Sequence, residues 1–204
     1  METRDLFLAS DGAMREVVSR LTPADLDHPV PADWSRAPVS TLRDILALHA
    51  MDEAWVPDVL AGRTIEEVGD RWKGDLLGDD PIGNYLKLNL LAEEAALNEL
   101  LDIDATTAHF TYGDYPLQEG FLHISVYRAF QAWMIARLLG MDYALPTAVV
   151  DGMNEWIVPH LGDWRAIGVF PPAQDVPQGA DAESVLLHTV GFWMPPASSA
   201  ASGD

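Results

Sequence analysis

Four long segments of the chain carry apolar residues at the spacing of one helical face, and this pattern constrains the fold more than any other feature. The segments cover about residues 2–21, 40–62, 81–102 and 117–139, and modest connections join them. Such connections place successive helices antiparallel, with their apolar stripes facing each other. The sequence therefore predicts an all-α fold, an antiparallel four-helix bundle. In the third segment the pattern places six residues on the inward face of the helix, namely Tyr85, Leu88, Leu91, Ala92, Ala95 and Leu100.

Smaller elements complete the predicted fold. Residues 106–112 alternate weakly in polarity, and Gly113-Asp114-Tyr115-Pro116 follows them. This pattern predicts a short extended segment that turns into the fourth helix. A fifth helix is expected over about residues 146–161, where Pro146 marks its start and Gly162 its end. Residues 181–190 predict a small helical element near the C-terminus.

Length and composition indicate a single folded domain. The chain has 204 residues, of which 49% are hydrophobic and 22% are charged, and this balance is typical of a soluble globular protein. We expect one domain over residues 1–194. Residues 195–204 contain only Pro, Ala, Ser, Gly and Asp, without an apolar pattern, and are expected to form a disordered tail.

The charge balance excludes several classes of partner. Asp and Glu number 32 against 12 Lys and Arg, which gives a formal charge of −20. Such a chain repels nucleic-acid phosphates and anionic membrane surfaces. We therefore expect a small-molecule substrate, no nucleic-acid partner and no membrane partner, while a homodimer through an apolar helix face remains open.

The chain contains no cysteine, which excludes disulfides and thiol nucleophiles. Its first five residues lack the basic start of a signal peptide, and no run reaches the roughly 18 apolar residues of a membrane span. These features predict a cytoplasmic protein.

The candidates for chemistry are polar residues on apolar helix faces. His123, Tyr127 and Gln131 recur every four residues on the fourth segment, so they share one stripe of that helix. His49 lies on the inward face of the second segment. Tyr127 can transfer a proton, Gln131 can hold an oxyanion, and His123 or His49 can act as a general base. The alternative is a buried hydrogen-bond network with a structural role only.

Four further residues are candidate substrate contacts. Trp34, Trp55 and Phe130 can wall an apolar pocket, and Glu53 lies one helical turn after His49. The alternative for the three aromatic residues is that they belong to the core or to half-buried surface. The sequence contains no Gly-rich phosphate-binding loop, no G-x-S-x-G motif and no H-E-x-x-H motif.

Several short motifs resemble a known family, the mycothiol-dependent maleylpyruvate isomerase proteins of the DinB-like superfamily. The motifs are Leu21-Thr22-Pro23-Ala24-Asp25-Leu26-Asp27, Pro31-Ala32-Asp33-Trp34-Ser35, Leu42-Arg43-Asp44-Ile45-Leu46-Ala47-Leu48-His49, Ala136-Arg137-Leu138-Leu139-Gly140-Met141-Asp142, Trp164 to Phe170, and Leu186-Leu187-His188-Thr189-Val190-Gly191. The resemblance spans nearly the whole chain and implies a DinB-like four-helix fold.

The resemblance also implies where a metal ion would bind. In that family a divalent metal is held by a histidine near the end of the second helix, and by a Glu or His and a His four residues apart on the fourth. His49 matches the first position, but the other two fall on Tyr127 and Gln131, and the Asp expected after them is Met134. A phenol and a neutral amide are poor ligands at neutral pH. We therefore expect no metal and no other cofactor.

A rebuilt metal site is the alternative that the sequence leaves open. His123 lies one helical turn before Tyr127, and together with His49 and either Asp52 or Glu53 it offers ligands for zinc or nickel. The favoured hypothesis remains a metal-independent enzyme that isomerises, cyclises or eliminates from an apolar metabolite in a central cavity. The alternatives are a divalent-metal-dependent mycothiol transferase or isomerase, and a non-catalytic protein that binds a small ligand.

Overall fold

The structure is a computed structural model that describes residues 1–35, 37–98 and 100–195. These residues are mostly helical and contain one two-stranded antiparallel sheet. The helices are α1 (Thr3–Ser19), α2 (Leu42–Leu60), α3 (Ile65–Val68), α4 (Pro81–Ala96), α5 (Leu117–Leu138), α6 (Thr147–Trp156), α7 (Leu161–Ala166) and α8 (Ala182–Val190), and the strands are β1 (Thr107–Phe110) and β2 (Gly113–Pro116). Short 3-10 turns cover Pro23–Asp27, Ala32–Trp34 and Val158–His160.

Local sequence signals explain where the helices begin. Thr41 and Asp44 stand three residues apart, the spacing of a capping box, and they form that box at the start of α2. The Asp44 carboxylate also accepts the Ser40 N–H at 2.8 Å. These backbone hydrogen bonds lower the pKa of Asp44 because they stabilise its charged form. At the start of α4, Asp80 accepts the N–H of Gly83 at 3.1 Å, and Pro81 takes the first helical position.

The four long helices α1, α2, α4 and α5 pack around a common core. Helix α1 lies against α5 and α4, and α2 lies against α4 and α5. The largest fully buried side chains are Tyr85, Phe7, Phe121, Phe130, Leu6, Met14, Leu42, Ile45, Leu46, Leu77, Leu117 and Ile135. Among the residues described, no helix is both long and apolar enough to cross a membrane.

Helix α4 differs from its sequence prediction in length and in orientation. It ends at Ala96 rather than near residue 102. Leu91 and Leu100, both expected to face inward, are 51% and 90% exposed. The buried stripe of α4 instead runs through Tyr85, Asn89, Ala92 and Ala96. Asn89 can be buried there because it accepts from Arg15 Nη1 at 3.0 Å and donates to the carbonyl of Asp11 at 3.3 Å.

The predicted extended segment forms one strand of a hairpin, and the turn residues after it form the other. Thr107 is paired with Pro116, and Phe110 with Gly113. Gly120, in the first turn and a half of α5, lets that helix approach the hairpin closely. A Cβ atom at residue 120 would lie 2.6 Å from the Cβ of Ala108. The hairpin is thereby held against the N-terminal part of α5.

The predicted fifth helix is divided into three parts. Helix α6 ends at Trp156, a 3-10 turn containing Pro159 follows, and α7 begins at Leu161. Proline has no N–H to donate, so it interrupts the regular helical ladder at this point. The expected small C-terminal element is confirmed as α8. Residues 196–204 lie outside the described part of the chain. They make up nearly all of the segment for which the sequence predicts a disordered tail.

Candidate functional site

A cavity of about 580 Å³, called here the first cavity, opens between α2, α5 and two C-terminal segments, 168–171 and 191–194. Its apolar wall includes Trp34, Ile45, Leu48, Met51, Met134, Val169, Phe170, Phe192, Trp193 and Met194. Its polar wall includes His49, Asp52, Tyr127 and Gln131. This volume and lining are typical of a site for a small, largely apolar molecule.

His49 projects from α2 and is almost completely buried, with 5% of the residue exposed. Burial lowers the pKa of its imidazole to about 4, and the nearby charge of Arg128 acts in the same direction. The side chain is therefore neutral at physiological pH. Its Nδ1 atom has no hydrogen-bond partner among the described residues.

Gln131 lies opposite His49, on α5, and is also buried. The Gln131 side chain accepts a hydrogen bond from the imidazole of His49, and this bond raises the pKa of the imidazole against the effect of burial. The amide nitrogen of Gln131 has no acceptor within the described part of the chain. A buried N–H without an acceptor costs about 1–3 kcal/mol, so an acceptor in a bound molecule would recover free energy here.

Asp52 follows His49 by three residues and therefore projects from the same side of α2. Asp52 is exposed at the edge of the cavity, and partial desolvation by the neighbouring protein raises the pKa of its carboxylate to about 6. Glu53 acts in the same direction, whereas Arg128 opposes the shift. A carboxylate with this pKa is largely ionised at neutral pH and still basic enough to accept a proton.

Tyr127 is the part of the α5 stripe that reaches furthest toward solvent, with 39% of the residue exposed. Its hydroxyl donates to the carbonyl of Val169 at 3.1 Å. This bond ties the segment after α7 to α5 and so positions one side of the first cavity. Tyr127, Met51 and Asp52 also line a second cavity, of about 500 Å³, on the other side of these residues.

Glu53 does not line either cavity, in contrast to the substrate contact that the sequence suggests. It is fully buried and accepts two hydrogen bonds from Arg128, from Nε to Oε1 and from Nη2 to Oε2, each at 3.0 Å. Tyr85 donates to Oε1 at 3.0 Å. Although burial alone would raise the pKa of Glu53, Arg128 lowers it below its usual value. Glu53 is therefore part of an internal ion pair.

Asp11 of α1 completes this internal cluster. Its Oδ1 lies 3.3 Å from Nε of Arg128. Burial, followed by the charge of Glu53, raises the pKa of Asp11 to about 9. The neutral carboxyl can then donate a hydrogen bond to Glu53, which helps to keep Glu53 ionised. At neutral pH the cluster thus contains one positive and one negative charge.

His123 does not share the first cavity with His49 and Gln131. It lies one turn before Tyr127 and lines the second cavity. There its ring lies against Phe110 and Tyr115, and its Nδ1 is 3.2 Å from the hydroxyl of Tyr112. His123, Tyr127 and Gln131 share one face of α5 because they are four residues apart. The first cavity covers only the part of this face from Tyr127 onward.

The three predicted aromatic contacts have different surroundings. Trp34 lines the first cavity, and Trp55 lines the second. Phe130 lies in the core, 1% exposed, and packs against Phe170 and Phe192. Phe130 thus supports the wall of the first cavity from behind.

Among the residues that the structure describes, no three His, Asp or Glu side chains form a group able to hold a metal ion. The rebuilt ligand set suggested by the sequence is not brought together. His49 and His123 line different cavities. Glu53 is already engaged by Arg128 and Tyr85. These side chains do not fit a common metal ion in this arrangement.

Sequence reasoning missed two residues of this region, and it assigned a third only as a metal ligand. Arg128 and Asp11 are the missed residues. The sequence suggests Asp52 only as a metal ligand together with His49 and His123. The available signal was that charged residues stand at inward positions of apolar helices, where they are rare unless paired. Their partners are distant in sequence, since Arg128 and Glu53 are 75 positions apart.

Comparison with known proteins gives no further assignment. No protein-family model, no curated protein and no solved structure matches the chain.

Proposed function

We propose that this protein is an enzyme that transforms a small, largely apolar metabolite by metal-independent proton transfer in the first cavity. The observation that carries the proposal is the polar wall of that cavity. An ionisable carboxylate, a neutral imidazole and an amide N–H without an acceptor in the described residues line one largely apolar space. Isomerisation, cyclisation and elimination all need such a combination of base and hydrogen-bond donor.

The proposed reaction begins with removal of a proton from a carbon next to a carbonyl group. Asp52 accepts the proton, and the electron pair of the broken C–H bond moves onto the carbonyl oxygen. The amide N–H of Gln131 donates a hydrogen bond to this developing oxyanion. The protonated Asp52 then returns the proton to another carbon, or a leaving group departs. Both outcomes conserve atoms and charge.

His49 and Tyr127 have supporting roles in this proposal. The neutral imidazole of His49 orients Gln131 without adding a positive charge that would lower the basicity of Asp52. Tyr127 holds the segment at Val169 against α5 and thereby closes one side of the cavity. His49 and Gln131 are buried beside the apolar wall, and the scarcity of water around them strengthens their electrostatic interactions.

We propose that the fold is a DinB-like antiparallel four-helix bundle. The packing of α1 on α5 and α4, and of α2 on α4 and α5, supports this interpretation. Bundles of this kind place their sites between facing helices, as α2 and α5 face each other across the first cavity.

Deuterium exchange tests the proposed proton transfer directly. The protein is incubated in D₂O with a panel of small ketones and β-keto acids, and mass spectrometry detects deuterium at the acidic carbon. We expect incorporation above the rate without protein, and a loss of about 10²–10⁴-fold for Asp52→Asn. Asp33→Asn is the matched control, because Asp33 is exposed and lines the same cavity. It should retain the wild-type rate within about twofold.

Binding without turnover is the main competing function, and the engagement of the Tyr127 hydroxyl by Val169 favours it, since that group is not free to transfer a proton. Compounds that bind tightly but acquire no deuterium would support this second function. Equal exchange rates in Asp52→Asn and wild type would exclude Asp52 as the base.

A further inference from the structure

The second cavity is walled largely by aromatic rings. It lies between α2, the hairpin, the N-terminal half of α5 and the connection that contains α3. The rings that line it are Trp55, Trp72, His109, Phe110, Tyr112, His123 and Tyr127. With seven rings around a space of about 500 Å³, a bound molecule would contact mainly ring faces and ring edges.

Three of these rings form one ordered surface. Phe110 and Tyr112 are stacked with centroids 5.2 Å apart and planes 3° apart. His123 lies 5.4 Å from Phe110 and 5.7 Å from Tyr112, with planes 13° and 10° apart. The contact between Tyr112 and His123 Nδ1 fixes their relative position. The three rings therefore have nearly parallel planes.

A carboxylate fixes another ring of the cavity. The indole N–H of Trp72 donates to Asp58 at 2.8 Å, and Asp58 is buried on α2. The same carboxylate accepts from Arg63 and Arg71, each at 2.8 Å. The connection after α2 is thus anchored to the helix, and Trp72 is positioned before any ligand arrives. Such preorganisation lowers the entropic cost of binding.

Most charged groups at this cavity already have a partner of opposite charge. Arg128 is paired with Glu53, and Lys73 lies 2.5 Å from Asp70. Asp52, by contrast, makes no ion pair or hydrogen bond with any residue in the described ranges.

The two histidines of this cavity do not reverse its charge. Burial lowers the pKa of His123, against the influence of Glu119, so its ring is neutral at physiological pH. His109 is hydrogen-bonded to Asp114 at 2.7 Å, so any positive charge on it faces a carboxylate. Among the lining residues that the structure describes, Asp52 is the charged side chain without an ion-pair partner; Arg63 and Arg71, which share the Asp58 carboxylate, do not line the cavity.

We propose that the second cavity binds an organic ammonium cation, with the charge held between the aromatic rings and the Asp52 carboxylate. Aromatic faces attract cations through their quadrupole, and the attraction is strongest where water is excluded. The formal charge of −20 on the whole chain raises the local concentration of cations around it. This site does not depend on catalysis in the first cavity, because six of its seven rings do not line that cavity.

Isothermal titration with a matched pair of probes tests the proposal. The pair is 2-phenylethylammonium and 2-phenylethanol, which share a ring and a chain length but differ in charge. We expect the ammonium to bind at least about tenfold more tightly than the alcohol. We also expect its affinity to fall as salt is added. Equal affinities, or no binding of the ammonium at millimolar concentration, would overturn the proposal.

Two substitutions locate the binding site. Trp55→Leu and Tyr112→Leu should each weaken ammonium binding by about tenfold. Tyr112 is largely exposed, so its replacement preserves folding even if Trp55→Leu does not. The matched control is Trp34→Leu, which removes an aromatic ring from the first cavity and should leave the affinity unchanged. A larger loss in Trp34→Leu than in the other two variants would place the cation in the first cavity and contradict the proposal.

Asp52→Asn tests the charge in this interaction. It should weaken binding of the ammonium by about tenfold and leave binding of the alcohol unchanged. Asp52 lines both cavities, so residues that line one cavity separate the two proposals: Gln131 lines only the first, and Trp55 and Tyr112 line only the second. The two proposals can therefore fail separately.

Discussion

The guanidinium of Arg128 and the carboxylate of Glu53 face each other through two hydrogen bonds of 3.0 Å inside the protein. Each residue directly follows one that lines both cavities, since Glu53 follows Asp52 and Arg128 follows Tyr127. The pair joins α2 to α5 and so fixes the spacing of the two helices that carry the candidate site.

Breaking this pair on one side should strongly destabilise the protein. Glu53→Gln keeps the side-chain volume but removes the carboxylate that accepts two hydrogen bonds from Arg128, so the buried guanidinium keeps only Asp11, 3.3 Å away, as an acidic neighbour. We expect the free energy of unfolding to fall by about 3–5 kcal/mol, measured by urea denaturation. The control Glu94→Gln, at an exposed position of α4, should change it by less than about 0.5 kcal/mol. The double variant Glu53→Leu/Arg128→Met should recover most of the loss, and a double variant as unstable as Glu53→Gln would contradict this account.

Asp11→Asn should alter how stability depends on pH. The pKa of Asp11 is raised from 3.8 to about 9, so between these values the folded protein holds a proton that the unfolded chain has lost. The proton on Asp11 contributes fully to the free energy of unfolding below about pH 3.8, and this contribution is lost as the pH rises toward 9. The loss is at most about 1.4 kcal/mol per pH unit. Asn is neutral throughout and can still donate to Glu53.

We therefore expect Asp11→Asn to gain stability relative to wild type as the pH is raised from about 5 to about 8, measured by urea denaturation. The control is Asp5→Asn, at an exposed position of the same helix, which should show the same pH dependence as wild type. A difference between Asp11→Asn and wild type that stays constant with pH would show that Asp11 is not protonated in the folded protein.

The imidazole of His49 should remain neutral well below physiological pH. Burial lowers its pKa from 6.5 to about 4, so no protonation is expected above about pH 5. Between these two pKa values the unfolded chain binds the extra proton, so His49 makes stability fall as the pH falls from 6.5 toward 4. Nitrogen-15 NMR of the ring measures the titration, with His49→Gln to assign its signals. A midpoint near 6.5 would contradict the buried, neutral state.

Two substitutions on α5 should separate the oxyanion contact from the support of the cavity wall. Gln131→Leu removes the amide donor and should slow deuterium exchange by about 10²–10³-fold. Tyr127→Phe keeps the ring but loses the bond to Val169, and should slow exchange by about tenfold without unfolding the protein. The control Gln118→Leu, exposed on the same helix, should have no effect. Equal rates for Gln131→Leu and Gln118→Leu would exclude Gln131 from the reaction.

The helical parts of the fold were predictable where local signals set them. The capping box at Thr41 and Asp44 starts α2 as the sequence indicates, because its hydrogen bonds join residues three positions apart. The orientation of helix α4 was not predictable from local signals. The spacing of its leucines predicts one inward face, but α4 packs against α1 and α2 with Tyr85, Asn89 and Ala92 buried instead. Distant partners, such as Arg15 for Asn89, leave no mark on a single sequence.

The candidate site was partly predictable for the same reason. His49, Tyr127 and Gln131 interrupt apolar stripes, and all three line the first cavity. His123 continues the stripe but belongs to the second cavity, because the hairpin, which the sequence only hints at, encloses it. The role of Glu53 depends on Arg128, on another helix, and could not be read from spacing along the chain.

Asp58 holds Arg63, Arg71 and Trp72 at once, so one carboxylate ties three side chains of the connection after α2 to that helix. Residues 63–72 should therefore detach and reattach as one cooperative unit, and their amide hydrogens should exchange with solvent together. Because residues of this connection line the second cavity, we expect the residence time of a bound molecule to depend on how often this unit opens. The affinity, which we propose to depend on the ring faces and Asp52, is a separate property.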